Sequence, residues 1–503
     1  SNGLYEYIYR MDLKQATILL LAVYAAILLF LVYRGARKTR TLKDYAIGSG
    51  FPAIVVAFSL AASVSSAATF IINPGFIAYY GWSAFLAMAL VLPLGLYLSL
   101  IYLSKRFQHH GNFTSALTLP QWAGNRFNSK VLERLLAIFS LLMITFLVLI
   151  CVGLAKIISN SLGADEVSVM IGVVVFVFGY MMFGGANALV YTNFVQAVLM
   201  LIVAVILIGS GYGYFEGGVG DYYDRLNTID PMLTKAFNPT SPLFRDWFEV
   251  IFCNFVVGIA IVCQPHIITK SLLLRSEKDI NKYLFYSVVV LIVFFSVVLA
   301  GFYGRMMFPD LKLDGSTINL DSIMSLYVVR RFSAGVGVLV VFGLLAAGMS
   351  TLESLVQSLS ITITQDLVRP ALGKKASKVN LKVVNRFVIA FLALVTILVS
   401  YNQMVNPTLS VGILAQNGVY SFFSAAFIPV LFGVFVKDAP KSSVIAASIV
   451  AIVVHFSVYY LGLTPYTSGA VRNPAVASAL AIVAAFLTGT TLLLIDRKKR
   501  IIE

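Results

Sequence analysis

The sequence predicts an all-α polytopic membrane protein with about thirteen membrane-spanning helices. Three observations carry that prediction. Of the 503 residues, 59% are hydrophobic and only 12% charged, and the mean hydropathy is +0.89, more apolar surface than a soluble fold buries. Uncharged runs of about 18 residues or more recur along the whole chain. None shows the alternation of a membrane β-strand, and only helices and closed barrels satisfy their backbone polar groups in lipid.

By hydropathy the spans fall at 14–33, 52–79, 83–104, 133–159, 166–183, 188–211, 247–269, 283–305, 335–365, 385–405, 408–435, 441–461 and 474–495. The first has no basic lead and no small-residue cleavage site, so it reads as a retained helix, not a signal peptide. "RGARKTR" (34–40), "SKRFQHH" (104–110), "LRSEKDINK" (274–282), "RPALGKKASKVNLK" (369–382), "KDAPK" (437–441) and "RKKR" (497–500) are basic. They fall on one side if the spans alternate, and that side is the cytoplasm. The amino terminus is then outside and the carboxyl terminus inside, as an odd number of spans requires. The net charge of +15 reflects this bias and not a nucleic-acid footprint, so the expected surroundings are a lipid bilayer with no nucleic acid. Loop 212–246 is expected to hold short surface helices. The chain reads as one transmembrane domain (1–503) with no signalling module after Arg500.

No HExxH, P-loop or GxSxG motif is present, and Cys151, Cys253 and Cys263 lie in apolar runs without metal-site spacing. An enzyme is not expected. The chemistry lies instead in three spans. "SLAASVSSAATFIINPGFIAYYG" (Ser59–Gly81) sets five hydroxyls ahead of Pro74-Gly75. Pro74 has no N–H for the carbonyl of Phe70, which predicts a break there. Freed carbonyls plus hydroxyls form hard neutral ligands for an alkali cation, although a kinked helix with small packing residues reads the same way. The seventh span carries its own breaker, Pro265, between Gln264 and His266. Two interrupted helices five spans apart point to an inverted-repeat transporter with a midplane site, the repeats being 52–211 and 247–435. In the ninth span Ala347, Ser350, Thr351, Ser354 and Ser358 recur at helical spacing, a polar stripe that either faces the broken helix or joins helices. Glu353, beside that stripe, is either a hydrogen-bonded structural acid or a gate. His266 reads as a packing or gating residue, and Tyr79, Tyr80 and Trp82 as interfacial aromatics.

"SSAATFIINPGFIAYYG", "FGGANALVYTNFVQAVLM" (Phe183–Met200), "CQPHIITK" and "STLESLVQSLSITITQDL" after "GLLAAGM" together resemble the sodium/solute symporter family, from Leu42 to the last span. The resemblance implies a LeuT-like five-plus-five inverted repeat, with an extra helix (14–33) before it and two helices (441–495) after. It implies a Na+ site made by the carbonyls of Ala62, Ser65 and Ala347 and the hydroxyls of Ser350 and Thr351. Neutral oxygens suit a monovalent cation. An ion there ties together two helices that must separate for the site to open inward. The chain departs from the family at Asn193, where many relatives have Asp, which removes a charge from the usual release route. It departs also at Lys270, where many have Arg, and at Val64, where proline-type members have an acid.

For the solute, the expected contacts are Ser66, Thr69 and Phe70 from the second span, Phe255, Val257, Ile261 and Gln264 from the seventh, and Asn417 and Tyr420, near Gln416, from the eleventh. The apolar stretch before Gln264 argues against a polyol, whose buried hydroxyls each need a partner. The segment "FIINPGFIAYYG" looks most like pantothenate- and monocarboxylate-type members, and half-helix amino ends hold a carboxylate without a basic side chain. The expectation is a multi-pass protein of the plasma (inner) membrane that couples Na+ entry to import of a small organic anion, with Asn193, Glu353 and His266 in coupling or gating. Proton coupling through Glu353 and a solute sensor that moves nothing are the alternatives.

Overall fold

A computed structural model describes residues 2–406 and 410–502 of the chain; the first two residues of the expected eleventh span, 408 and 409, lie outside the described residues. Eleven continuous helices are long and apolar enough to cross a membrane, and two bent pairs bring the number to thirteen. In order they are Thr17–Lys38, the pair Ala53–Val64 and Ala68–Tyr80, Trp82–Gly111, Lys130–Leu162, Glu166–Gly184, Ala186–Phe215, the pair Phe248–Cys263 and Pro265–Leu273, Glu277–Met307, Ala334–Lys378, Leu381–Val405, Val411–Phe435, Lys441–Leu461 and Pro474–Ile501. They match the expected spans one for one. Ala334–Lys378 and Val411–Phe435 are the most enclosed and form the centre, whereas Thr17–Lys38 is the most exposed.

The second span bends by 53°, but not at Pro74. Helix Ala53–Val64 ends at Ser65, whose backbone turns to φ −85°, ψ 77°. Ser66 then starts the second half: its Oγ accepts from the Ala68 N–H at 3.0 Å, and its carbonyl accepts from Thr69 and Phe70. A serine that caps a new helix is the local cause of this break. Pro74 lies within the second half, after a wide π turn over Ala68–Ile72 in which the Asn73 N–H reaches the Ala68 carbonyl. That wider turn absorbs the missing proline N–H without breaking the helix. Gly75 does not bend the chain. A Cβ there would lie 2.2 Å from the Leu320 carbonyl oxygen, so its role is close packing of the second half-helix.

The seventh span bends by 60° at the expected place. Gln264 is extended (φ −69°, ψ 137°), the conformation forced on a residue before proline, and Pro265 opens the second half. Just beyond the two broken spans the chain segments meet. The Phe51 N–H donates to Leu273 (2.8 Å) and the Arg275 N–H to Phe51 (3.1 Å), a parallel bridge that ties the Ala53 end of one to the Leu273 end of the other.

The loop after the sixth span folds into Gly218–Ile229 and the short helix Pro231–Thr234, as expected. The loop before the ninth holds a two-residue hairpin, Lys312–Leu313 against Ser316–Thr317, and Asp321, which accepts from Ser410 Oγ (2.6 Å) and the Val411 N–H (2.9 Å). A carboxylate there satisfies an unpaired N–H at the start of Val411–Phe435.

Candidate functional site

The break at Ser65 leaves the last carbonyls of Ala53–Val64 without helical partners, and the ninth span supplies hydroxyls to them. Ser350 Oγ donates to the Ala62 carbonyl at 2.8 Å and approaches the Ala347 carbonyl at 3.1 Å. Thr351 Oγ1 lies 3.2 Å from the Ala62 carbonyl, 3.0 Å from that of Ser63 and 3.4 Å from that of Ala347. Ala62, Ala347, Ser350 and Thr351 are fully buried, so four of the five expected oxygen donors meet in one dry cluster. The cluster's hydrogen bonds reach the Ser63 carbonyl and do not include Ser65, which lies in the break with its own hydroxyl buried and unpartnered. The donors are neutral oxygens. Hydroxyl hydrogens rotate, so both hydroxyls are free to turn a lone pair toward a cation.

On the other side of Ser350 is a second polar cluster. Asn193 Nδ2 donates to Ser59 Oγ (3.2 Å), Ser63 Oγ (3.2 Å) and Ser354 Oγ (3.0 Å), and Lys270 Nζ to Ser59 Oγ (2.9 Å). Asn193 is thus next to the candidate ion cluster, on its sixth-span side. Glu353 is elsewhere. Its carboxylate accepts from Tyr180 of the fifth span, from Thr192 Oγ1 (2.6 Å) and from Gln196 Nε2 (2.9 Å), and Gln196 also reaches Tyr24 of the first span (2.9 Å). Glu353 therefore anchors the ninth span to the first, fifth and sixth and does not face the solute cavity.

That cavity, of about 110 Å³, lies between the two broken spans and the eleventh. Of the expected solute contacts, Ser66, Thr69, Ile261, Gln264 and Tyr420 line it. Four do not. Phe70 packs edge-on against Phe294 (5.6 Å between ring centres), and Val257 is fully buried away from the cavity. Phe255 is not on the wall, and its carbonyl packs against Gly95 of the third span. Asn417 turns outward to His455 (2.9 Å) and Tyr460 (3.1 Å). One helical residue is about 100° of rotation, so when Asn417 faces the twelfth span its neighbour Gln416 faces the cavity. Sequence reasoning also missed Asn73, Phe146 and Asn254 on the wall. His266, read from the sequence as a packing or gating residue, lines the cavity, edge-on to Phe146, with both ring nitrogens unpartnered, as is Gln264 Oε1. Buried polar atoms without a protein partner await water or solute. Among the described residues, no Asp, Glu, Lys or Arg lines the cavity.

A sequence model of the sodium:solute symporter family matches residues 45–451. The chain belongs to the sodium:solute symporter family. Among its relatives in that family, it is 28% identical over 490 residues to the sodium/pantothenate symporter of Escherichia coli (strain K12), covering 94% of this chain and 95% of that protein. It is 27% identical over 457 residues to the sodium/proline symporter of Staphylococcus aureus, covering 88% of this chain and 85% of that one. A solved structure of the substrate-bound outward-open state of a Na+-coupled sialic acid symporter superposes with a TM-score of 0.73 at 19% identity, over 95% of this chain and 98% of the other. The fold is therefore LeuT-like. Membership makes Na+ the coupling ion and the chain a multi-pass transporter of the plasma membrane.

Proposed function

We propose that this symporter imports a small organic anion with an apolar body, binding Na+ at the Ala62–Ala347–Ser350–Thr351 cluster and the solute in the adjoining cavity. Residues 52–211 and 247–435 are the two inverted repeats within a single transmembrane domain, 14–33 is an extra helix before them, and 441–495 are two after. The basic loops face the cytoplasm, so the amino terminus is outside and the carboxyl terminus inside. No covalent chemistry is involved. The single observation that carries this reading is the hydrogen bond from Ser350 to the Ala62 carbonyl: it joins the broken helix to the ninth span through oxygens a sodium ion would share. An ion bound there favours the arrangement in which the two helices touch, and a solute that favours the same arrangement is coupled to it.

The anion is favoured by chemistry common to the relatives. Pantothenate, proline and sialic acid, the solutes those symporters are named for, each carry a carboxylate. Here the wall offers hydroxyl, amide and imidazole donors and an apolar remainder, with no fixed negative charge. The volume is small against the usual ligand pocket of about 300–1,000 Å³, which favours a short monocarboxylate over a pantothenate-sized solute.

A thermal-shift screen of small carboxylates, with and without Na+, identifies the solute; the expected result is a shift that needs both. In proteoliposomes loaded to drive that solute, Ser350→Ala is expected to raise the half-saturating Na+ concentration about tenfold, the equivalent of one lost oxygen contact. An unchanged Na+ dependence in a well-folded variant would place the ion elsewhere.

A further inference from the structure

Lys270 is buried with no carboxylate oxygen within 4.0 Å of its ammonium among the described residues. What surrounds it is hydroxyl oxygen. Its Nζ lies 2.9 Å from Ser59 Oγ and 3.4 Å from Ser354 Oγ. Ser63 Oγ completes the group, 2.7 Å from Ser354 Oγ, while donating to the Ser59 carbonyl at 2.7 Å. Two serine hydroxyls from two helices thus meet the buried lysine, and Ser63 joins them through Ser354, an arrangement in which neutral oxygens solvate a desolvated cation. The amide of Asn193 closes the cluster from the sixth span, and its Oδ1 is buried without a partner.

This group is continuous with the proposed ion cluster. Ser354 Oγ donates to the Ser350 carbonyl (2.9 Å), and Thr351 Oγ1 meets the Ser63 carbonyl (3.0 Å). An ion leaving Ser350 and Thr351 on this side meets the serine hydroxyls next. Their lone pairs are already taken up by the N–H donors of Lys270 and Asn193. It also meets a like charge, whose repulsion is strongest where water is excluded.

We propose that Lys270 is a tethered internal cation: its ammonium fills a second cation position made by Ser59, Ser63 and Ser354, so that the transporter binds one Na+ and releases it past this position only when the lysine side chain withdraws. The proposal rests on the reading of Ala62, Ala347, Ser350 and Thr351 as the sodium cluster. It assigns Lys270 and Asn193 a single joint task. The amide holds the serine hydroxyls in place without supplying a charge, and the lysine supplies the charge. The bond lengths are compatible with exchange, since the Lys270–Ser354 contact is the longest in the cluster and the first to open.

The test is direct binding of radioactive Na+ to the purified full-length chain in detergent, without solute. The wild type is expected to bind about one Na+ per chain, and Lys270→Arg, which keeps the charge, about one. Lys270→Met is expected to bind about two, with half-saturation lowered about threefold, because the hydroxyls are released and the repulsion is gone. One Na+ at unchanged affinity in Lys270→Met would overturn the proposal. If that variant does not purify as a monodisperse protein, Lys270→Gln carries the same expectation and the same power to refute. Ser350→Ala in the wild-type background separates the two levels: if it leaves Na+ affinity intact, the sodium cluster itself is misplaced, whatever the lysine variants show.

Discussion

At the residue scale, Ser350 Oγ reaches the Ala62 carbonyl, and Thr351 Oγ1 lies between the carbonyls of Ala62 and Ser63, a gathering of neutral oxygens that supports the proposed ion position. Glu353, three residues from Ser350, shows the other fate of a polar group on the same helix. It collects donors from Tyr180, Thr192 and Gln196 and so locks the ninth span to its neighbours. Glu353→Gln turns an amide N–H toward at least one of those donors. It is expected to lower stability by about 1–3 kcal/mol, read as a lower melting temperature in detergent, while the requirement for Na+ in uptake remains. Solute uptake driven by a pH gradient alone, and abolished in Glu353→Gln, would contradict this division of roles. At His266 and Gln264 the unpartnered atoms mark the cavity proposed for the solute, a signal absent from the sequence because it depends on what does not approach them.

The elements are set by breaks and by close approaches. The capping serine Ser66 and the pre-proline residue Gln264 create the two bends by different local chemistry, one by hydrogen bonding and one by steric restriction. Glycines then let the pieces pack. A Cβ on Gly258 would lie 2.2 Å from the Leu92 carbonyl oxygen, and one on Gly95 2.7 Å from the Phe255 carbonyl oxygen, so the third and seventh spans touch backbone to backbone. Gly258→Ala is expected to destabilise the protein by about 1–3 kcal/mol, because backbone has to move to admit the methyl group. Gly172, in the fifth span, has no atom near its virtual Cβ, and Gly172→Ala is expected to be neutral or stabilising by about 0.5–1 kcal/mol. Melting temperatures of the two variants, measured side by side, check both signs.

For the whole molecule, the proposed ion position joins the first bent helix to one of the two central helices, so binding should be felt as global stability. Na+ is expected to raise the melting temperature and K+ is not, by an amount equivalent to about 2.7 kcal/mol at a concentration of 100 times the dissociation constant. Ser350→Ala should abolish most of that increment at the same Na+ concentration. The Phe51–Leu273–Arg275 bridge ties the start of the first broken helix to the end of the second. Much of this was legible in the chain. Thirteen spans, both interrupted helices and the Ser350–Thr351 pair follow from hydropathy, Pro265 and helical spacing. Pro74 was misleading: proline marks a missing N–H, and whether a helix breaks or widens there depends on the turn that absorbs it.

Composition and periodicity by themselves determined that this chain crosses the membrane many times and that two of its helices are interrupted, because lipid leaves so few ways to satisfy a backbone. Which side chains face which neighbour was decided only by the tertiary structure. Asn417 and Gln416 differ by one position and face different partners, since a helix turns about 100° per residue and the packing fixes its rotation. Phe70 and Val257 went to packing for the same reason. Lys270, against Ser59 and Ser354, was likewise set by packing: a buried lysine is placed by what surrounds it, and those surroundings come from the second, sixth and ninth spans at once.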